Sequence, residues 1–308
     1  MGTAGAGADG VTGERRRLIN VAYRLLGSVA EAEDAVQEAY ARWFALPPGR
    51  RREIRVPGAW LTTVTGRICL DLLGSARARR ERYVGAWLPE PLPDRTEWER
   101  AGGTLLPADP ADQIVLDESV SMAFLVVLDA MTPAERVAFV LHDVFRYPFV
   151  EIADVLGRTP AACKQLASSA RRRLGGTRAP EPEPEPEPDA RADVVRRVKE
   201  AWESKDIETL IGLLDPAAVM TADGGGMVGT VPHPVEGGAR IARYMAAIAD
   251  RAPGLELVER SVGGVPGLVA RRAGVVETVA SFDVSGGRVA RVWVVRNPEK
   301  LRPWLRDG

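Results

Sequence analysis

The sequence predicts two all-α lobes followed by an α+β domain whose curved sheet forms a cone with an interior pocket. Three observations carry this fold class. Apolar residues recur at helical spacing from about Arg15 to Leu174, the stretch Pro180 to Pro188 reads PEPEPEPEP, and the chain closes with short strand-like runs separated by Gly or Pro turns. Helices first and a strand meander afterwards is the pattern of a sheet wrapping its helices. The chain has 308 residues, which at roughly 150 residues per domain gives room for more than one core. Its 45% hydrophobic and 27% charged residues exclude global disorder and a fibrous protein.

In the first lobe a helix with Leu18, Ile19, Ala22, Tyr23, Leu25 and Leu26 inward stops at Gly27. Ser28 then caps a second helix, with Glu31 three residues on as in a capping box. That helix sets Ala32, Ala35, Val36, Ala39, Tyr40 and Phe44 on one side and Glu31, Glu33, Asp34 and Glu38 on the other. After a break at Leu46-Pro47-Pro48-Gly49, a long helix runs from about Pro57 to Arg80 with Trp60, Leu61, Val64, Ile68 and Leu72 inward. The run from Trp87 to Pro110, rich in Pro, Gly and acid, separates this lobe from a second one with helices near Gln113 to Ala130, Pro133 to Phe145, Phe149 to Leu156 and Pro160 to Leu174.

In PEPEPEPEP every second residue lacks an amide hydrogen and the glutamates repel one another, so an extended spacer rising about 3.1 Å per residue is expected. Beyond it come helices at Ala190 to Ser204 and Ile207 to Leu214, a short strand near Val219, a turn at Asp223-Gly224-Gly225-Gly226, and a helix from about Val235 to Asp250. Strand-like runs follow at Leu255 to Val262, Gly267 to Arg272, Val275 to Val284 and Arg288 to Val295.

The net charge of -1 conceals blocks of opposite sign. Arg50, Arg51, Arg52, Arg55, Arg67, Arg77, Arg79, Arg80 and Arg82 crowd one stretch; Arg158, Lys164, Arg171, Arg172, Arg173 and Arg178 form another without an acid. Two basic surfaces suit phosphate binding, although arginines also simply solvate helix faces. The second block lies on helix-turn-helix grammar: a short helix ends at Gly157, Thr159 is an N-cap, and Pro160 opens the next helix. Ile152, Leu156, Cys163 and Leu166 would form the shared core, leaving Ala161, Lys164, Gln165, Ser168, Arg171 and Arg172 outward for groove and phosphate contact. Cys69 and Cys163 stand in apolar helical settings and read as buried hydrophobes. No apolar run approaches the roughly 18 residues of a membrane span and the N-terminus has no signal-peptide pattern, so a cytoplasmic protein without membrane contact is expected.

The segments RLLGSVAEAEDAVQEAYARWF, VPGAWLTTVTGRICLDLLGSARARR and MTPAERVAFVLHDVFRYPFVEIADVLGRTPAACKQLASSARRRL resemble regions two and four of an extracytoplasmic-function bacterial sigma factor. The resemblance implies a non-enzymatic subunit that binds core RNA polymerase, through the β′ clamp and β flap, and directs it to promoter DNA. It places Asp34, Gln37 and Glu38 on the clamp. It places Arg51, Arg52, Arg55, Trp60, Thr63, Arg67, Asp71, Arg77, Arg79 and Arg80 at the melted minus-ten element. It gives the minus-thirty-five element to Thr159, Ala161, Lys164, Gln165, Ser168, Arg171 and Arg172. The implied division is region two at 14–83, a linker at 84–112, region four at 113–176, a Glu-Pro linker at 177–189 and a SnoaL-like, nuclear-transport-factor-like cone at 190–305.

Sigma factors with such a cone carry motifs that here read Trp87-Leu88-Pro89-Glu90-Pro91-Leu92, Asp223-Gly224-Gly225-Gly226 and Asn297-Pro298-Glu299-Lys300-Leu301, with Met227 where the family has lysine after the glycines. The resemblance implies that the cone regulates the sigma regions in cis, through these residues, in response to a small-molecule or protein signal. No cofactor or metal is implied. The fold also serves polyketide cyclases, and Asp223, His233, Tyr244, Asp283 and Arg296 are the ionisable candidates in the cone, yet no two are fixed as an acid/base pair. A SnoaL-type ligand-binding or catalytic protein with a helical DNA-binding half is the alternative reading, and a two-domain repressor a third.

Overall fold

A computed structural model of the chain describes residues 13–80, 83–93, 120–176 and 188–304. They fall into two compact units, one holding residues up to 80 and 125–176, the other holding 83–93, 120–124 and 188–304. The fold is helical in the first and α+β in the second.

The helical unit is built around α1 (Arg15–Leu26), of which every residue from Leu18 to Leu26 is buried. It packs against α2 (Val29–Ala45) and α4 (Pro57–Arg80). Gly27 ends α1 at φ 72° and donates its N–H to the Tyr23 carbonyl at 2.7 Å, a left-handed cap that glycine adopts without Cβ strain. Ser28 caps α2 by accepting from the Glu31 N–H at 3.3 Å. The inward stripe of α2 is Ala32, Ala35, Val36, Ala39 and Trp43, while Phe44 is exposed and Tyr40 half-buried. The expected inward placing of Phe44 is thus corrected: Trp43 takes it, lying 5.3 Å from Trp60 between ring centroids. The Pro47 region is not simply a break, because Pro48 opens a short helix α3 (Pro48–Glu53), as its fixed φ allows at a first turn.

Four further helices complete this unit: α5 (Met122–Asp129), which belongs to it from Leu125 on, α6 (Pro133–Phe139), α7 (Phe149–Leu156) and α8 (Pro160–Gly176). The helix expected to run from Pro133 to Phe145 instead changes to a π turn at Val140–Val144. Within it His142 stacks on Phe149 and meets the Tyr147 carbonyl through Nδ1 at 3.0 Å, so it is a packed residue at a helix end. Arg136 is buried and pairs with Asp129 at 2.8 Å. Glu135, also buried, closes a capping box with Thr132 and accepts from the Ser169 hydroxyl at 2.6 Å, tying α6 to α8.

The second unit is a six-stranded sheet in the order β2-β1-β6-β5-β4-β3. The strands are β1 (Leu214–Asp223), β2 (Val235–Glu236), β3 (Glu256–Val262), β4 (Val265–Arg272), β5 (Val275–Ser285) and β6 (Arg288–Val295). β1 runs parallel to β6 and the other pairs are antiparallel. Register shifts in β1, β4 and β5 are the bulges that bend a sheet. Three helices, α9 (Pro188–Glu203), α10 (Ile207–Leu213) and α11 (Gly238–Arg251), build the core with one face, among them Val198, Leu210, Ile241 and Met245 against Leu268, Phe282 and Val292. Alternate residues Val269, Val279, Ser281, Trp293 and Val295 are buried as well. Both faces are therefore covered, which explains why these strands lack a clean polar alternation.

Two boundaries differ from the sequence expectation. The strand near Val219 extends from Leu214 to Asp223, and the helix expected from Val235 starts at Gly238, because Val235 and Glu236 pair with β1. The Pro180 to Glu187 part of the spacer lies outside the described residues, as does the 113–119 part of the helix expected from Gln113, and Pro188 opens α9.

Glu135 gives the helical unit a defined acid sensitivity. Burial disfavours its charge, but the Ser169 hydroxyl, the Thr132 backbone and side chain and Arg173 together hold its carboxyl down to about 2 from an ordinary 4.5. A depressed carboxylate stabilises the fold above its unfolded pKa and loses that contribution as pH falls toward its folded one. The wild-type advantage over Glu135→Gln is expected to be complete at pH 6, of order 3 kcal/mol at about 1.36 kcal/mol per unit, and to vanish between about pH 4.5 and 2. Urea unfolding of both proteins across that range checks it; a difference independent of pH contradicts it.

Candidate functional sites

Asp34, Gln37 and Glu38 lie together on the outer face of α2 and all three are exposed, with Glu38 paired to Arg42 at 2.8 Å. The basic stretch begins on α3. There Arg52 is exposed, as is Arg55 just after it, whereas Arg51 turns back to donate through Nε to the Leu46 carbonyl at 3.1 Å. On α4, Trp60 is half-buried against Trp43, Thr63 donates to the Ala59 carbonyl at 2.9 Å, and Arg67 and Asp71 are exposed. The side chains of Arg77, Arg79 and Arg80 lie outside the described residues.

In the second lobe Gly157 turns at φ 61° and Thr159 caps α8 by accepting from the Ala162 N–H at 3.2 Å. Ile152, Leu156 and Cys163 are buried between α7 and α8, joined by Ala167 and Ala170, while Leu166 is half-buried. Burial raises the Cys163 thiol pKa and drives that of Cys69 far higher, so neither is a ready thiolate. Ala161, Lys164, Gln165 and Arg172 are exposed and Ser168 is half-buried. Arg171 is also exposed, and its guanidinium donates to Asp143 at 2.7 and 3.2 Å.

The two lobes meet through Arg67 and through residues that sequence reasoning did not single out. The Thr62 hydroxyl, which donates to the Gly58 carbonyl at 3.0 Å, lies 2.9 Å from the Tyr147 hydroxyl. Arg67 donates through Nε and Nη2 to the Asp154 carbonyl at 3.1 and 2.7 Å. Gly66 faces Val155 so closely that a Cβ there would stand 2.8 Å from Val155 Cγ1. α7, the first helix of the helix-turn-helix, thus packs on α4 beside Arg67, whose guanidinium is hydrogen-bonded to it and still exposed. The signal for this was a glycine in a helix interior, which costs about 1 kcal/mol against alanine and calls for a packing reason.

In the second unit the three motifs converge on Asp223, which is fully buried. Its Oδ1 accepts from the Tyr83 hydroxyl at 2.7 Å and the Gly225 N–H at 3.0 Å, and its Oδ2 from the Leu88 N–H at 2.9 Å and Lys300 Nζ at 2.7 Å. Lys300 also donates to the Leu88 carbonyl and stands 4.2 Å from the Trp87 ring centroid. Asn297 donates to the Tyr83 hydroxyl at 2.8 Å. Burial, followed by the bond to the Asp223 carboxylate, raises the Tyr83 pKa well above its ordinary value.

The segment Tyr83–Pro93 continues along the sheet domain. Trp304 Nε1 donates to the Pro91 carbonyl, the Gly263 N–H donates to the Leu92 carbonyl, both at 2.7 Å, and Pro93 bridges Val262. Gly225 must be glycine, since it sits at φ 65° and a Cβ would meet Asn297 Nδ2 at 2.5 Å. Met227 is exposed, and the cation beside Asp223 comes from Lys300. Pro298 is exposed and Leu301 buried. Tyr83 and Trp304 were missed by the sequence reading because nothing in their own neighbourhood marks them.

The cone encloses a cavity of about 390 Å³ between α9, α11 and the sheet. Of the five ionisable candidates, Tyr244 and Arg296 line it; Asp223 belongs to the linker contacts, and His233 is exposed. Among the described residues no helix is long and apolar enough to cross a membrane.

Family models for Sigma-70 region 2 and Sigma-70 region 4 match residues 11–79 and 121–174. The chain is 39% identical over 298 residues to the ECF RNA polymerase sigma factor SigJ of Mycobacterium tuberculosis, covering 93% of this chain and 90% of SigJ. It is 33% identical over 290 residues to SigI of the same organism, covering 94% and 92%. The crystal structure of the M. tuberculosis extracytoplasmic function sigma factor SigJ matches with a TM-score of 0.71 at 34% identity, over 94% of this chain and 96% of that one.

The buried Asp223 contacts predict graded effects. Asp223→Ala leaves Lys300 buried and without its counter-ion, a change that costs about 3 kcal/mol or more. Tyr83→Phe removes one hydrogen bond to a charged group, about 2 kcal/mol, and leaves the ion pair. Chemical unfolding should rank the two in that order, and limited proteolysis should cut Tyr83–Pro93 faster in both; unchanged cleavage would show that these bonds do not hold the segment.

Proposed function

The chain belongs to the extracytoplasmic-function RNA polymerase sigma factors, and on that premise we propose the roles of its surfaces and of its cone. The exposed face of Asp34, Gln37 and Glu38 docks on the polymerase clamp. The arginines of α3 and α4, with Trp60, Thr63 and Asp71, hold the melted minus-ten element, whose unstacked bases and phosphates call for cations beside planar groups. The helix α8 enters the major groove of the minus-thirty-five element with Ala161, Lys164, Gln165 and Ser168 toward the bases and Arg172 toward phosphate. Region two at 14–83, region four at 113–176 and the cone at 190–305 remain the proposed divisions, with Tyr83–Pro93 of the intervening linker serving the cone.

The single observation that carries the regulatory part is the use of Arg67. In the described arrangement its guanidinium is spent on the Asp154 carbonyl, and Gly66 beside it is closed over by Val155. A minus-ten strand would compete with α7 for Arg67. On this reading the described arrangement is a closed form, and activity requires a population shift to an open one. The cone acts through Tyr83–Pro93, which follows α4 directly in sequence: held on the sheet it shortens the free chain after region two, and released it lengthens that chain.

Run-off transcription with core polymerase on a cognate promoter tests this reading. Tyr147→Phe removes the bond to Thr62, whose hydroxyl keeps its Gly58 acceptor, at about 1 kcal/mol. Transcript yield at limiting protein should rise, by up to about fivefold, and truncation after Arg178 should change the yield. No promoter-specific transcript from any of the three proteins would overturn the sigma reading, and identical yields from full and truncated chains would remove the cone from regulation.

The minus-thirty-five assignment has its own signature. Arg172→Ala should weaken promoter binding about equally for all sequences and flatten the salt dependence by about one unit of slope. Arg171→Ala should flatten it less, because that side chain is engaged with Asp143. Salt titrations of binding distinguish the two; equal slopes for wild type and Arg172→Ala would count against the contact.

A further inference from the structure

The cavity in the cone is apolar over most of its wall and basic at its polar points. Met220, Leu257, Leu268, Phe282, Val292 and Ile248 supply the apolar lining, and three arginines, Arg251, Arg272 and Arg296, face one carboxylate, Glu277. Arg272 is paired with that carboxylate at 3.3 Å. Arg296 is different: its Nη1 donates to the Gly229 carbonyl at 2.8 Å, while its Nε is buried with no hydrogen-bond acceptor among the described residues. A buried donor of a charged group left unmatched is costly and is retained where something else satisfies it. About 390 Å³ lies within the size range of small-molecule sites.

We propose that this cavity binds an amphipathic organic acid, its apolar body against the wall and its carboxylate on Arg296. A guanidinium among the lining residues of an apolar cavity offers a planar carboxylate charge-assisted hydrogen bonds, and a monoanion matches the excess of arginines over the one carboxylate. The site is also joined to the buried linker contacts by two short paths. The backbone N–H of Arg296 and that of Asn297 both donate to the Asp223 carbonyl, at 2.7 and 3.1 Å. Ala222, which lines the cavity, immediately precedes Asp223. A ligand that moves Arg296 thus moves the residue pair on which Tyr83 and Leu88 are held. This coupling rests on the cis-regulatory reading above; the binding site itself does not.

Calorimetric titration of the full-length protein with 2-naphthoate and with its neutral counterpart 2-naphthylmethanol tests the site. The acid should bind saturably at one site and the alcohol about tenfold more weakly or worse, as expected for the loss of a charge-assisted hydrogen bond. Arg296→Met should bring the acid down to the affinity of the alcohol, with Arg251→Met showing a smaller loss. Equal affinity for acid and alcohol in the wild-type protein would overturn the carboxylate assignment without any variant. Absence of binding by both would overturn the cavity as a site for acids of this size. Protease cleavage within Tyr83–Pro93 should change rate on saturation with the acid; binding without such a change would remove the coupling and keep the site. A protein that binds the acid yet gives no promoter-specific transcript would separate failure of the sigma reading from failure of this one.

Discussion

The α+β unit depends on one buried carboxylate. Asp223 is wholly out of water, and an ion in that position is destabilising by several kcal/mol unless its lone pairs are matched. Four donors meet it, and they come from three separate stretches of chain: Tyr83 and Leu88 from the linker, Gly225 from the turn that Asp223 itself begins, and Lys300 from beyond the last strand. None of these stretches satisfies the charge alone. The linker is therefore part of the domain's polar core, and the glycines after Asp223 follow from the same constraint, since at Gly224 a Cβ would lie 2.2 Å from the Val228 carbonyl oxygen. Lys300 makes the arrangement specific, because its ammonium is also held against Trp87 and the Leu88 carbonyl.

In the helical unit the corresponding constraint is contact distance. Gly66 lets α7 reach α4, and the polar groups then exposed to each other are paired across the contact, Thr62 with Tyr147 and Arg67 with the Asp154 carbonyl. These bonds are individually modest, about 1 kcal/mol each net for a neutral pair. A contact of this strength holds a closed form without making it irreversible, which is what a regulated initiation factor requires. On the proposed reading, Arg67 would change acceptor, from the Asp154 carbonyl to a phosphate, when the form changes.

Much of this was legible in the residues. Helical periodicity, the Ser28 cap, the Gly157 turn and the strand runs of the cone are local signals and lie close to where they were expected. What escaped was set by tertiary contact. Phe44 and Trp43 are adjacent and both apolar, and it is Trp43 that turns inward, its ring tilted against that of Trp60. The π turn at Val140–Val144 holds His142 on the carbonyl of Tyr147, a partner that lies beyond the helix it interrupts. The pairing of exposed Arg171 with Asp143, 28 residues earlier, has no local sign in the sequence. The three motifs of the cone could be named from sequence, but their convergence on one carboxylate could not, because about 130 and about 70 residues separate successive motifs.

The placing of the cavity relative to those motifs gives the cone a reason to be there at all. A sheet domain used only to hold a linker would be better filled with side chains, since an unfilled apolar space forfeits dispersion contacts along its whole wall. Here the space is kept, one arginine at its edge has a donor unmatched among the described residues, and the backbone of that arginine leads directly to Asp223. The backbone of an arginine that lines the cavity is thus hydrogen-bonded to Asp223, on which the linker contacts converge. Filling one therefore acts on the other through bonded and hydrogen-bonded neighbours, with no long-range pathway needed.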